Sequence, residues 1–152
     1  MAEAKRPTLS SAVYYRDPRA ALKWLESAFG YETTMVVENP DGTIGHSEMR
    51  FGDGLIMVGY EYDARHKSPA SVGRVNTQSV HVQLDADIDG HFARAKAAGA
   101  TVVREIEDQF YGDRNYIVAD PDGHVWSFGQ TVKTMTNDEM AKAGGVAVRE
   151  RL

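Results

Sequence analysis

Apolar residues recur along this chain with two periods that trade places in a fixed order. Ala21, Leu22, Trp24, Leu25, Ala28 and Phe29 fall at three- and four-residue spacing, which predicts a helix with one buried face. Asp17 suits its N-cap, Pro18 sits at a first position where the missing N–H costs nothing, and Gly30 suits its end. Residues 9–15, 33–38, 44–51 and 55–60 are rich in β-formers. Asn39-Pro40-Asp41-Gly42 and Gly52-Asp53-Gly54 separate the last three as hairpin turns, so the order is β-α-β-β-β.

The order then returns. After a polar linker over residues 61–77, a strand over 79–84 leads to a helix over 88–98 with Phe92, Ala95 and Ala98 on its inner face. Strands follow over 101–104, 115–119 and 124–129. Landmarks repeat with the periods. Asp17-Pro18 is answered by the acidic start at Asp87 and Asp89, and the turn before Leu55 by Asp120-Pro121-Asp122-Gly123 before His124. The repeat is too long for a solenoid unit and occurs only twice. The fold class is therefore α+β: two βαβββ modules, residues 8–60 and 78–130, forming one domain over 8–130. Two such modules facing one another make a cleft, the usual place for a small molecule. Residues 131–152 have no counterpart. Thr136-Asn137-Asp138-Glu139 has capping-box spacing and predicts a short helix through Lys142, ended by Gly144-Gly145, with frayed residues after it.

Composition narrows the partners. A chain of 152 residues, 42% apolar and 26% charged, is ordinary for a globular protein. A net charge of −5 and a pI near 5.5 argue against nucleic acid or an anionic membrane as main partner. With no cysteine, disulfides, thiolate chemistry and cysteine metal sites are excluded. Residues 1–7 lack an apolar signal core and no stretch is long enough to span a bilayer, so a cytoplasmic location is the expectation.

Strand alternation assigns the faces. Val80, Val82 and Leu84 form the apolar set that covers the helix, which turns Ser79, His81 and Gln83 to the cavity, with Ser10, Ala12 and Tyr14 opposite. In the last strand, the phase that points Ser127 inward places Trp126 and Phe128 in the core. His46 and Glu48 share one face of an inner strand, and Met57 serves as wall, core or ligand contact. Arg114, beside a tight turn with Tyr111, either meets a ligand's anionic group or pairs with Asp113 or another surface acid. His66 in the linker and His91 on the second helix read as surface residues. The candidate ligand-binding set is Tyr14, His46, Glu48, Met57, His81, Arg114 and Ser127. His81 is the candidate catalytic residue, because an imidazole of ordinary pKa, about 6.5, suits a general base; the alternative is a plain hydrogen-bonding role. No Gly-rich phosphate loop is present, and no serine has a nucleophile-elbow context.

Two motifs carry a family resemblance. They are Gly45-His46-Ser47-Glu48-Met49-Arg50-Phe51-Gly52-Asp53-Gly54-Leu55-Ile56-Met57 and Tyr111-Gly112-Asp113-Arg114 followed by Asp120-Pro121-Asp122-Gly123-His124-Val125-Trp126. In this order, and in duplicate, they resemble the vicinal oxygen chelate superfamily of glyoxalase I, bleomycin-resistance proteins and extradiol dioxygenases. The resemblance implies eight strands curved around a cavity and pairing as homodimers. Metal-dependent members take His, Gln or Glu ligands from the first and last strands of each module. The corresponding positions here are Ser10, Met57, Ser79 or His81, and Ser127, and hydroxyls and a thioether are poor ligands for a hard or borderline divalent cation. No metal cofactor is therefore expected, unless His46, Glu48 and His81 form a displaced site. The resemblance thus implies a protein that binds a small organic ligand, with a ring-containing compound as one candidate. An alternative is a lyase, isomerase or dioxygenase working through the displaced metal or through His81 as base.

Overall fold

The computed structural model describes residues 5–152; residues 1–4, part of the N-terminal stretch without an apolar core, lie outside it. Module one runs β1 (Ser11–Tyr15), α1 (Pro18–Phe29), β2 (Glu32–Glu38), β3 (Ile44–Phe51) and β4 (Gly54–Tyr60). Module two runs β5 (Val80–Leu84), α2 (Ile88–Ala97), β6 (Thr101–Asp108), β7 (Asp113–Ala119) and β8 (Val125–Thr131), and α3 (Asn137–Gly144) follows. Each module makes one four-stranded mixed sheet, in order β1-β4-β3-β2 and β5-β8-β7-β6. Parallel pairing of β1 with β4 and of β5 with β8 puts each helix across one face of its sheet.

The local signals act as expected. Asp17 accepts a hydrogen bond from Ala20 N at 3.1 Å to start α1, and Gly30 ends it at φ 79°. Thr136 and Glu139 close a full capping box on α3. β6 extends to Asp108, beyond the expected 101–104. Its second half alternates charged residues with Ile106 on an edge strand interrupted by register shifts, so period-two patterning is hidden there. The linker is not free chain: a 3₁₀ turn at Pro69–Val72 is held by Ala70 N donating to Asp122 O, and Ser68 N donates to Glu61.

The two modules share one core. Helix α1 packs on α2, and the Phe29 ring from module one lies 5.3 Å from Trp126 and 4.7 Å from Phe128 of module two. Val13, Val58, Val82, Leu84 and both aromatics of β8 are buried in this layer. Trp24 Nε1 donates to Ala98 O at 2.8 Å across the join. A buried clasp reinforces it, in which the Tyr15 hydroxyl and Trp126 Nε1 both donate to Asp120. Burial raises the Asp120 carboxyl above its usual value even with these donors present.

His91 corrects the surface expectation. It lies between Ile88 and Ala95 on the buried side of α2, a phase that its polarity conceals. Its Nε2 lies 2.8 Å from the Phe29 carbonyl, an acceptor only, so that nitrogen carries the proton. Nδ1 then accepts from the Tyr116 hydroxyl at 2.6 Å. Burial lowers the His91 pKa.

The tail beyond the repeat is anchored as well. Val132 N and Lys133 N both donate to Gly112 O, so the tail lies over the β6–β7 turn. A side chain at Gly112, whose φ is +96°, would overlap the Lys133 carbonyl.

Candidate functional site

Because the shared core covers one face of each sheet, the alternating residues on the other face point away from it. On module one this face is set by register: Ala12 pairs with Met57, Met57 with Glu48, and Tyr14 with Gly59. A Cβ on Gly59 would stand 3.0 Å from the Tyr14 ring, so the missing side chain is what gives that ring its place. Beside it opens a groove of about 1090 Å³. Ala12, Tyr14, His46, Met57 and Gly59 line it, with Tyr60, Tyr62 and the β2–β3 turn at its rim.

The groove is aromatic. Tyr62 stacks on His66 at 4.4 Å and 18°, and Tyr14 meets both edge-on at 5.8 and 4.9 Å. His66 thus packs against two residues that line the groove rather than standing free on the surface. Its Nδ1 lies 2.8 Å from Asp63, and this contact, aided by the Arg65 amide and guanidinium, holds the Asp63 carboxyl down to about 2. Burial and the Tyr62 hydroxyl raise the Tyr14 phenol, so it stays a neutral donor. The two rim arginines are already engaged, Arg16 with Asp122 at 3.0 Å and Arg19 with Glu38 at 2.7 Å.

Glu48 stands at the floor of this face, next to Met57 and His46, with only 5% of its surface exposed. Its carboxylate accepts from both terminal nitrogens of Arg6, at 2.7 and 3.2 Å, and lies 3.1 Å from His46 Nε2. Arg6, and then His46, hold the Glu48 carboxyl below its usual range.

The second face holds the other candidates. Gln83 Nε2 donates to Asp113 and Thr131, which turns its carbonyl oxygen to His81 Nε2 at 2.8 Å. That nitrogen therefore carries the His81 proton, and Nδ1 is the acceptor for the Ser127 hydroxyl at 2.9 Å. His81 and Ser127 are brought together here, but neither lines the module-one groove. Arg114 lies apart from both, forked onto Asp89 at 2.9 Å and Asp108 at 3.1 Å, so pairing with surface acids describes its geometry. A smaller recess of about 440 Å³ lies between the modules, bordered by Tyr14, Gln78, Val80 and His124.

A displaced metal triad does not assemble. Glu48 and His46 are engaged with each other and with a guanidinium, while His81 lies on the other sheet with both nitrogens occupied. Among the described residues no three His, Cys, Asp or Glu side chains converge as a metal site, and Ser10, Met57 and Ser127 do not supply a suitable donor set. No helix among the described residues is long and apolar enough to cross a membrane.

Residues 9–128 match the family model of the glyoxalase/bleomycin resistance protein/dioxygenase superfamily. The chain belongs to this superfamily. An uncharacterised protein of Mycobacterium bovis is 35% identical over 147 residues, 94% of this chain and 95% of its own length. Among solved structures, TioX from Micromonospora sp. ML1 is 30% identical, with a TM-score of 0.67 over 81% of this chain and 97% of that one. A glyoxalase/bleomycin resistance protein/dioxygenase family enzyme from Burkholderia phytofirmans PsJN shares the fold at TM-score 0.63, with 16% identity, over 80% and 96% of the two chains. The superfamily's duplicated frame is intact here.

Arg6, Tyr60, Tyr62, His66, Asp113 and Thr131 belong to the two outer faces and are missing from the sequence-derived candidate set. Tyr62 and His66 lie in the linker, which has no counterpart in the repeat, so periodicity gives no signal for them.

Proposed function

We propose that the protein binds a small organic molecule with a planar ring in the module-one groove, without a metal. The aromatic residues Tyr14 and Tyr62, which line the groove together with Met57, carry this reading. Rings and a thioether offer large apolar contact and edge or face interactions at small entropic cost. The matched family, which includes bleomycin-resistance proteins, supports a ligand-binding role.

A thermal-shift screen of planar aromatic compounds tests it, with Tyr14→Ala as control. Stabilising hits lost in Tyr14→Ala are expected, and hits unaffected by that change would move the site elsewhere. Elemental analysis of protein purified without chelator addresses the metal, and near-stoichiometric zinc, nickel, iron or manganese would overturn the metal-free half of the proposal.

Assembly as a homodimer is part of the same proposal, because the second face with His81 and Ser127 lies open and would suit pairing against another subunit. Light scattering should give twice 16.8 kDa. A monomer mass at micromolar concentration would remove the dimer and leave the groove a single-chain site.

A second reading has its own observation in support. With Nε2 tied to Gln83, His81 holds Nδ1 as an oriented base toward Ser127, an arrangement suited to proton transfer. Turnover of an α-hydroxythioester, epoxide or catechol that vanishes in His81→Ala would establish it. Turnover unchanged in that variant would exclude His81 as base.

A further inference from the structure

Glu48 is the one feature of the module-one face that ring binding leaves unexplained. A carboxylate buried beside the groove must be hydrogen-bonded and matched by a cation, or its desolvation opposes folding. The match comes from an unusual direction. Among the described residues its side-chain partners are His46, two positions away on the same strand, and Arg6.

Arg6 belongs to an arm that precedes β1, lies outside every helix and strand, and reaches Glu48 across 42 positions of sequence. The arm is poorly packed: Leu9 is 87% exposed, and the Arg6 side chain itself is 59% exposed while its partner is 6% exposed. A buried charge on a strand is thus balanced by an exposed one on an arm outside the sheet. Two parallel N–H···O contacts from a planar fork to one carboxylate make the geometry that a guanidinium or amidinium provides and a neutral group does not. Glu48 adjoins Met57 in register and His46 by hydrogen bond, and both of those residues line the groove.

We propose that the natural ligand carries a cationic amidine, guanidine or amine next to its ring, that this group binds Glu48, and that Arg6 is a built-in stand-in displaced on binding. This inference rests on the ring-binding reading above. Displacement keeps the buried carboxylate paired throughout, so entry of the ligand exchanges one cation for another instead of stripping Glu48 bare. The arm then acts as an internal competitor, lowering affinity for cationic ligands and leaving neutral ones untouched.

The test compares 2-naphthamidine with its neutral isostere 2-naphthamide by calorimetric titration of three proteins: wild type, Arg6→Ala and Glu48→Gln. Removing the competitor should tighten 2-naphthamidine by about tenfold in Arg6→Ala with no change for the amide. Removing the charge should weaken the amidine by about tenfold in Glu48→Gln and again spare the amide. In wild type, the Arg6 Nε–Hε resonance should move to the position of a free arginine as the amidine saturates, and stay in place with the amide. If both compounds bind alike in all three proteins, the ring site stands and the cation site is overturned. If neither compound binds any of the three, the groove reading falls and takes this inference with it. Arg6→Ala decides between these outcomes even if Glu48→Gln folds poorly, because the exposed arm contributes nothing to the core.

Discussion

The two modules are built on one plan and do different things with it. Each has a parallel first-and-last strand pair under a capped helix, and the register Ala12↔Met57 in one corresponds to His81↔Ser127 in the other. Module one uses its outer face for an aromatic groove beside a buried carboxylate. Module two fills the same positions with a polar chain, Asp113–Gln83–His81–Ser127, whose members satisfy one another in the open. The helix-facing residues are apolar in both copies because they meet in a single core. Duplication therefore holds the inner faces to a common requirement, packing density, while the outer faces answer to chemistry and are free to diverge.

The largest expected effect lies in the shared core. Trp126→Ala should cost about 3–5 kcal/mol, the range for truncating a large buried aromatic. Denaturant melts followed from probes in each module should then move together, since Phe29 and Trp126 pack across the join. Separate transitions would show that the modules fold as independent units.

Next in size is the groove. Tyr14→Ala should weaken a groove ligand by about tenfold, in line with the loss of one aromatic contact of about 1.4 kcal/mol. His81→Ala should leave the same affinity unchanged in a monomer. A loss on His81→Ala would mean that the second face closes over the groove across a subunit boundary.

A smaller effect concerns pH. The folded state holds the His91 pKa below its usual value, so the unfolded chain binds the proton more readily. The contribution is therefore complete above the unfolded value, about 6.5, and is lost as pH falls through the window between that value and the depressed folded one. The stability difference between wild type and His91→Gln should shrink on going from pH 7.5 to pH 5, measured by chemical denaturation. A difference that grows on acidification would mean that folding favours the protonated imidazole, with Nδ1 donating to the Tyr116 hydroxyl instead of accepting from it.

The smallest effect belongs to Arg114, whose acidic partners are largely exposed. Arg114→Ala should change neither the melting temperature nor the ligand affinity measurably. A clear loss of affinity would place the ligand near the β6–β7 turn instead.

The fold was legible because its signals are local and occur twice. Caps at Asp17 and Thr136, the turn at Asp120 to Gly123, and the alternation of Val82 and Leu84 with His81 and Gln83 each follow from a few neighbouring residues. The shared face of part of the candidate site was legible for the same reason: Tyr14, His46, Glu48 and Met57 alternate with the core residues of their strands. What stayed hidden depends on contacts between distant positions. Nothing near Arg6 in the sequence points to Glu48, and nothing near Tyr62 or His66 marks a ring stack. His91 was missed because a hydrogen-bonded imidazole can occupy a core position that polarity alone assigns to the surface.

Gly112 shows how a segment outside the repeat can freeze a position within it. The stretch after the repeat has no partner in module one, yet its main chain occupies the space where any side chain at 112 would stand. Drift at that site is thus barred twice, by the docked main chain and by a φ of +96° that side chains rarely adopt. Removing residues 132–152 would lift only the first bar, so a library randomised at 112 should still recover mostly glycine in the shortened chain, with asparagine and aspartate as the first exceptions.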